Sequence, residues 1–234
     1  MGSLQAAKVG FLVVATGKYI QFVEPLLTSA RQHFCKGHDV TYFVFTDSDF
    51  PAAEDVIVRF HPKMGWPYDT LLRYEAFDRI ADLLCKQDYL FASDADMLFC
   101  GDVGEEMFSK RVATQHPGFD PSSPFPRKRG SYETDPDSTA CVYDHEGTHY
   151  FAGGFYGGEA KEVLQAVKTI LKRIYQDLEK GIIAEHHDES QWNRYCIDYP
   201  PTLILNPSYC YPESWDLPYP KKLLALDKEH DEIR

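Results

Sequence analysis

The chain has 234 residues, of which 44% are hydrophobic and 14% aromatic, enough for the buried core of one domain. Its 36 acidic residues outnumber the 24 lysines and arginines, and the formal net charge is −12. This charge excludes the broad basic surface on which nucleic acids and anionic lipids depend, so we expect no nucleic-acid partner and only local cations for a phosphorylated ligand.

The six cysteines are scattered and form no C-x-x-C pair, so the sequence indicates neither a zinc site nor a redox pair. Free thiols in a reducing compartment are the simpler interpretation. No stretch reaches the roughly 18 to 20 apolar residues of a membrane span, and no secretory signal pattern opens the chain. We therefore expect a cytoplasmic protein without a membrane anchor.

The first half of the chain alternates strand and helix patterns. Continuous apolar or β-branched runs at residues 8–16, 39–46, 55–60 and 89–92 predict strands, and apolar spacing at residues 19–35 predicts a helix. Such strands, separated by helices, are typical of a mostly parallel sheet covered on both faces. We expect a single α/β domain with a C-terminal extension.

Two further helices are predicted. One opens at Asp69, whose side chain suits an N-cap. Its apolar face would consist of Leu72, Ala76, Ile80, Leu83 and Leu84. The other covers residues 160–180 with a clear amphipathic pattern, and Gly181 is expected to terminate it.

Two irregular segments lie in the second half. Residues 119–142 contain four prolines and a basic cluster, too long for an ordinary connection, so they form either a mobile functional loop or a disordered one. Residues 149–158 have a strand pattern interrupted by four glycines. That segment is either a bulged strand or a place where backbone closely approaches a ligand.

Two aspartates, Asp94 and Asp96, follow the apolar run at residues 89–92, and apolar residues resume directly after them. In an extended chain both carboxylates can face one point. Two adjacent anions repel unless a cation lies between them, and a hard divalent ion suits oxygen ligands. Ligands of open α/β sheets gather beyond the carboxyl ends of strands. The alternative is a solvated strand end, because aspartate is common in turns.

Residues 185–193 combine two histidines with three acids ahead of a short predicted helix, for which Asp188 is a candidate N-cap. A capping or surface role fits this pattern as well as a catalytic role does. A metal site is disfavoured here, because the adjacent His186 and His187 would point apart in regular structure.

Seven short motifs, taken in chain order, resemble those of glycosyltransferase family 6, which contains the histo-blood-group A and B transferases and the α-1,3-galactosyltransferases. The resemblance extends from about residue 8 to the last residue, and its most specific part is HDES together with D-x-D-M-x-F. The motifs are ATGKY (15–19), LLRYEAF (71–77), SDADMLF (93–99), HPGF (116–119), YFAGGFYGG (150–158), HHDES (186–190) and KEHDEIR (228–234).

The resemblance implies a GT-A fold: a Rossmann-like, mostly parallel sheet flanked by helices, in a single domain over residues 1–234. We expect a nucleotide-binding half at 8–99, a donor-sugar and acceptor half at 100–216, and a tail at 217–234 that closes over the donor. The implied reaction is retaining transfer of N-acetylgalactosamine or galactose from a UDP-sugar to the 3-hydroxyl of a terminal galactoside, fucosylated or not. The product would carry an α-1,3 linkage, as in histo-blood-group carbohydrate metabolism.

The resemblance also implies roles for individual residues. Asp94 and Asp96 match the metal-binding D-x-D, with Mn²⁺ or another divalent ion such as Mg²⁺ as cofactor, and Glu189 matches the catalytic glutamate that faces the anomeric carbon. Donor-binding positions are Val14, Ala15, Thr16, Tyr19, Arg73, Asp94, Ala95, Asp96, Ala152, Gly153, Gly154, Asp188, Lys228 and Arg234. Acceptor-binding positions are His116, Ser131, His186, Glu189 and Asp216.

These roles agree with the charge of the chain. An acidic protein needs local positive charge to hold UDP, which a metal ion with Arg73, Lys228 and Arg234 would supply. Metal dependence is expected because both aspartates of the D-x-D are present. Ala152 and Gly154 are small, which favours UDP-GalNAc over UDP-Gal as donor.

Two other functions stay open at this level. A metal-dependent nucleotidyltransferase or phosphohydrolase also uses paired aspartates at a strand end, but the first strand here leads to ATGKY instead of a basic glycine-rich loop. A non-catalytic galactoside-binding module would use the histidines, tryptophans and acids. It would leave Arg73, Lys228 and Arg234 without a phosphate to hold.

Overall fold

The computed structural model describes residues 5–125 and 129–228. Arg234, to which a donor role is assigned above, therefore lies outside the described residues. Within the described residues the strands are β1 (Lys8–Val14), β2 (Asp39–Thr46), β3 (Val56–Phe60), β4 (Tyr89–Ser93), β5 (Met97–Phe99), β6 (Arg111–Gln115), β7 (Phe151–Glu159), β8 (Leu203–Leu205), β9 (Tyr211–Pro212) and β10 (Leu223–Ala225). The α-helices are α1 (Val23–His33), α2 (Tyr68–Leu71), α3 (Arg73–Asp78), α4 (Ala81–Leu84), α5 (Ala160–Glu179) and α6 (His187–Asp198).

A seven-stranded sheet forms the centre of the domain, in the order β3-β2-β1-β4-β7-β6-β8. Pairing is parallel from β3 through β4 and between β6 and β8, and β7 runs antiparallel to both of its neighbours. The predicted α/β class and mostly parallel sheet are confirmed. A smaller sheet of β5, β10 and β9 lies beside it.

Helices cover both faces of the large sheet because apolar residues of β1 alternate between them. Phe11 lies in the same buried cluster as Leu26 and Leu27 of α1. Its neighbour Leu12 lies in a second cluster with apolar residues of α3, α5 and α6. Successive strand residues point to opposite faces, so a continuous apolar strand needs a helical layer on each side.

The predicted strands are confirmed with shifts of one or two residues at their ends. The helix at residues 160–180 is also confirmed as α5, and Gly181 follows it with a left-handed φ of 74°. Within the described residues, no helix is both long and apolar enough to span a bilayer.

The predicted helix at residues 19–35 is shorter than expected. The chain runs as a 3₁₀ helix over Gly17–Phe22, and α1 starts only at Val23. Pro25 explains this start, because a proline lacking an N–H is tolerated in the first helical turn and not in the interior.

The prediction of one continuous helix from Asp69 is wrong. The segment forms the three short helices α2, α3 and α4, and Asp69 lies inside the first turn of α2, where its carboxylate accepts the Met64 N–H at 2.6 Å. Leu72 and Ala76 are nevertheless buried, as the apolar pattern predicted. The pattern identified the buried face correctly but did not reveal the breaks.

The long segment at residues 119–142 packs on the domain where it is described. Tyr132 and Val142 are buried in a cluster with Tyr150. The carboxylate of Glu133 accepts the Glu185 N–H at 2.7 Å, which connects this segment to the turn before α6. The disordered alternative is therefore wrong for residues 129–142.

The glycine-containing strand is bulged. On β6, Ala113 pairs with Tyr156 and Gln115 pairs with Phe151, so Thr114 alone faces residues 152–155 of β7. Ala152, Gly153 and Gly154 thus leave the ladder with β6, and their backbone groups are available to the adjoining α6 and to the chain after β4.

Candidate active site

The site lies at the carboxyl ends of β1 and β4, where ligands of open α/β sheets collect. Two adjoining cavities form one cleft, because four residues line both: Trp66, Thr70, Arg73 and Asp94. The first cavity is lined in addition by Val14, Thr16, Tyr19, Lys63, Asp69, Ala95, Asp96 and Lys228. The second is lined in addition by Gly153, Gly154, His186, His187, Asp188 and Glu189.

The two aspartates of D-A-D both face the first cavity, but the backbone between them is not extended. The chain bends at Ala95 and Asp96. The bend arises because the strands on either side belong to different sheets: Ser93 ends β4 in the large sheet, and Met97 begins β5 in the small one. The aspartates follow the strand as expected, but the argument that an extended backbone turns both carboxylates to one point does not apply to this bent segment.

Arg73 joins the two cavities. Its guanidinium donates to Asp94 Oδ1 at 2.7 Å, and its Nε lies 3.2 Å from Asp188 Oδ2. Burial lowers the pKa of Arg73, but the charges of Asp188 and Asp94 outweigh that effect and hold the pKa well above its usual value. Arg73 is a permanent cation at the centre of the cleft.

Asp96 has a cation of its own. The Lys228 ammonium bonds to Asp96 Oδ2 and lies 5.3 Å from the centroid of the Tyr19 ring. Each aspartate of D-A-D is thus paired with a basic side chain of the same chain. Repulsion between the two carboxylates does not by itself require a bound metal, which corrects one step of the sequence argument.

The residues present still fit a hard divalent ion. Asp94 and Asp96 supply carboxylate oxygens to one cavity. Across residues 5–125 and 129–228, no group of three or more His, Cys, Asp and Glu side chains is arranged to hold a metal. An ion here would take its other ligands from phosphate oxygens and water, as Mg²⁺-like ions commonly do.

Asp188 is a buried carboxylate that lines the second cavity. It contacts the Thr70 hydroxyl as well as Arg73. Burial raises its pKa, an effect that Arg73 opposes. Its predicted N-cap role is wrong: α6 begins at His187, and no side chain caps it. Asp188 instead points into the cleft from the first helical turn.

Glu189 faces the bulge of β7. The Gly153 N–H donates to Glu189 Oε2 at 2.8 Å, a bond made possible because Gly153 has left the ladder with β6. Burial raises the pKa of Glu189, and the Gly153 N–H opposes that shift. The buried Tyr150 hydroxyl also interacts with the Glu189 carboxylate and opposes the rise in its pKa.

Most of the predicted donor positions meet in this cleft, and most of the acceptor positions do not. Ala15 and Ala152 are buried at 1% and 2% exposure and do not line it. His116 contacts the rings of Phe119 and Tyr150. Neither cavity is lined by His116, Ser131 or Asp216, whereas His186 lines the second.

Sequence reasoning missed several residues of the cleft: Lys63, Trp66, Asp69, Thr70 and His187. All but His187 come from the segment between β3 and α3. A usable signal was present, because this segment follows a parallel strand at its carboxyl end, where loops build binding sites. His187 was set aside because two adjacent histidines should point apart; its left-handed φ of 49° lets both line the second cavity.

Comparison with known proteins identifies the family. The sequence matches the profile of Glycosyltransferase family 6 over residues 2–234. The chain belongs to this family. It is therefore a hexosyltransferase with the expected GT-A-type α/β domain, and the hydrolase and lectin alternatives are no longer favoured.

Three relatives illustrate the match. The chain is 36% identical to the histo-blood group ABO system transferase 1 of Rattus norvegicus, covering 99% of this chain and 70% of the relative. It is 32% identical to the globoside alpha-1,3-N-acetylgalactosaminyltransferase 1 of Homo sapiens, covering 94% and 67%. It is 29% identical to the O-antigen biosynthesis glycosyltransferase WbnI of Escherichia coli, covering 95% and 96%.

Proposed function

We propose that this α-1,3-glycosyltransferase moves N-acetylgalactosamine or galactose from a UDP-sugar to the 3-hydroxyl of a terminal galactoside, with retention of configuration. Family membership gives the reaction class. The observation that carries the proposal is the divided cleft, in which Arg73 and Asp94 belong to both cavities and Glu189 faces only the second. A nucleotide diphosphate in the first cavity would place its sugar beside Glu189.

The first cavity suits UDP. Val14, Thr16 and Tyr19 follow β1 and would hold uracil and ribose, with Ala15 beneath them. Arg73 and Lys228, now paired with Asp94 and Asp96, would bind the negatively charged diphosphate in part instead of these aspartates. Arg234 is proposed to bind the diphosphate as well. Preorganised cations of this kind stabilise a leaving phosphate without further reorganisation.

Asp94 and Asp96 would hold a divalent cation, for which we favour Mn²⁺. When bound, the cation would add positive charge at the departing diphosphate. The cation would compete with Lys228 for Asp96, because the ammonium contacts Oδ2 of that residue. Lys228 would then be available to the phosphate.

The second cavity suits the transferred sugar. Glu189, ionised, would stabilise the positive charge that develops on the anomeric carbon as UDP leaves, or would attack that carbon from the face opposite to UDP. Asp188, fixed by Thr70 and Arg73, would bind hydroxyls of the sugar. Ala152 and Gly154 leave room for an N-acetyl group, which favours UDP-GalNAc.

The acceptor would approach from the side of His186. His116, Ser131 and Asp216 are proposed acceptor contacts at positions outside the two cavities, and Glu189 would face the attacking hydroxyl. The division into residues 8–99 for the nucleotide, 100–216 for sugar and acceptor, and 217–234 for closure stays a prediction. A cytoplasmic location also stays a proposal, supported by six free cysteines, all of which lie within the described residues.

Product analysis tests the proposal. The protein would be incubated with UDP-GalNAc or UDP-Gal and with fucosylated or plain galactosides, in the presence of Mn²⁺. We expect a product heavier by one hexose or N-acetylhexosamine, whose linkage analysis shows α-1,3 attachment. A glycan panel on which neither donor yields any transfer would contradict the proposed substrates.

A further inference from the structure

Asn193 is a buried amide at the contact between the two elements that carry the second cavity. It lies on α6, one turn beyond Glu189, and is 1% exposed. Its partner is Phe151, the first residue of β7 and the residue that precedes the bulge at 152–154. Its side chain lines neither cavity of the cleft.

The amide of Asn193 makes three hydrogen bonds with backbone groups. Its Oδ1 accepts the Phe151 N–H at 2.8 Å, and its Nδ2 donates to the Phe151 carbonyl at 2.8 Å. The Nδ2 also donates to the Glu189 carbonyl at 2.9 Å. A side-chain amide offers one acceptor group and two donor hydrogens, so it is used here as fully as its chemistry allows.

These two bonds to Phe151 take the place of the hydrogen bonds that a neighbouring strand would make. Pairing between β4 and β7 ends where Ser93 meets Phe155, so Phe151 has no strand partner on that side. Buried backbone groups require partners, and a side-chain amide can supply the donor and acceptor that a neighbouring peptide would. Asn193 therefore holds the start of the bulge against α6.

The same bulge holds Glu189. Gly153, two residues after Phe151, donates its N–H to Glu189 Oε2 at 2.8 Å. Asn193 thus binds the backbone of Glu189 and fixes the strand that binds its carboxylate. Gly154 extends the connection, because its carbonyl accepts the Asp94 N–H at 3.0 Å.

We infer that Asn193 is a positioning residue: it sets the place of the Glu189 carboxylate relative to the sugar pocket formed by Ala152, Gly153 and Gly154. The inference rests on the proposed role of Glu189 in the reaction. Removing the amide should release the backbone of Phe151, so the bulge and the Glu189 carboxylate that it binds would shift within the second cavity. The first cavity, which Asn193 does not line, should bind UDP as before.

A double-mutant cycle tests this. We expect Asn193→Ala and the near-isosteric Asn193→Asp to lower kcat by about 10²-fold, the loss that follows from a displacement of about 1 Å at a reacting centre. The affinity for UDP, measured by calorimetry, should change by less than about threefold. In a Glu189→Gln background the same substitutions should cost little further, because residues that act as a unit are not additive.

Gln191→Ala is the matched control. Gln191 is also a buried amide of α6 at 1% exposure, but it bonds to Asp177 and Thr139 away from the cleft. We expect it to lower the melting temperature while leaving kcat unchanged at a temperature where the protein is folded.

The inference is overturned if folded Asn193 variants keep kcat, or if their losses multiply with that of Glu189→Gln. It is also overturned if both Asn193 variants fail to fold, because the amide would then hold the domain together instead of placing Glu189. If Glu189→Gln alone keeps normal turnover, the proposed role of Glu189 fails first, and this result is separate from the others.

Discussion

At the level of a single side chain, Arg73 joins the two cavities. It contacts Asp94, which faces the proposed diphosphate, and Asp188, which faces the proposed sugar. Its side chain is 13% exposed, so the guanidinium is held by these partners with little competition from water. If donor binding moved the guanidinium, the contacts of Arg73 with both Asp94 and Asp188 would change, and so would the lining of both cavities.

Glu189 should set the acid side of the pH profile. Burial raises the pKa of its carboxyl above the ordinary value of 4.5. The ionised form is the one that stabilises positive charge, so kcat should fall as the pH falls through this raised pKa. Measured kcat against pH should show an acid limb at a higher pH than an ordinary glutamate gives.

Glu189→Gln is the control for that limb. The variant cannot ionise there, so its residual turnover, lower by about 10²-fold, should not follow the same limb. An identical acid limb in the variant would assign the titration to another group and contradict this explanation.

Gly154 should control which donor sugar is accepted. A Cβ at this position would lie 3.4 Å from Asp94 Oδ2 and 3.4 Å from Cys210 Sγ, ordinary contact distances, so Gly154→Ala should fold. The added methyl narrows the pocket, and a smaller pocket discriminates against the larger N-acetyl group. We expect kcat/KM for UDP-GalNAc relative to UDP-Gal to fall by about 10-fold or more. An unchanged ratio in a competition assay would place the sugar elsewhere.

At the level of elements, the glycines of β7 serve two purposes, access to the cleft and close packing between strands. Gly153 and Gly154 lie in the bulge and approach the cleft, as one sequence interpretation proposed. Gly157 lies in the regular part of the strand, where a Cβ would come within 2.2 Å of the Leu90 carbonyl oxygen. Both sequence interpretations of this segment, a bulged strand and a close backbone approach to the candidate site, therefore apply to Gly153 and Gly154.

Gly157→Ala should consequently destabilise the domain without altering the site. Overpacking of this kind costs about 3 kcal/mol, or roughly 6–12 °C in Tm for a domain of this size. Gly104→Ala is the matched control, because the nearest atom to its added Cβ is 3.7 Å away. Equal melting temperatures for the two variants, measured by calorimetry, would show that β4 and β7 are less closely packed than described.

The sequence predicted those elements whose local pattern agrees with their tertiary role. The strands β1 and β2 and the helix α5 were predictable because the apolar pattern and burial coincide there. The breaks between α2, α3 and α4 were not, because Leu72 continues a helical apolar pattern while the backbone turns to bring Thr70 and Arg73 into the cleft.

The candidate site was also predictable only in part. Asp94, Asp96 and Glu189 were identified from short motifs that resemble a known family, and each of them lines the cleft. The pairing of Asp96 with Lys228, and the amide of Asn193 on Phe151, depend on contacts between residues far apart in the chain. Such contacts leave no pattern in a single sequence.

At the level of the whole molecule, an acidic chain places three basic side chains in one cavity. The net charge is −12, yet Arg73, Lys228 and Lys63 line the same cavity as Asp94 and Asp96. Two of these cations are paired with the two aspartates. We propose that a divalent ion replaces this internal neutralisation and releases cations to the diphosphate.

Calorimetric titration of UDP, with and without Mn²⁺, tests this claim most directly. We expect Mn²⁺ to tighten UDP binding by at least about 10-fold in the unaltered protein, since each 1.4 kcal/mol of added interaction is tenfold in Kd. Asp96→Ala should abolish that gain while leaving the fold intact. Equal UDP affinity with and without Mn²⁺ in the unaltered protein, or an undiminished gain in Asp96→Ala, would contradict the claim.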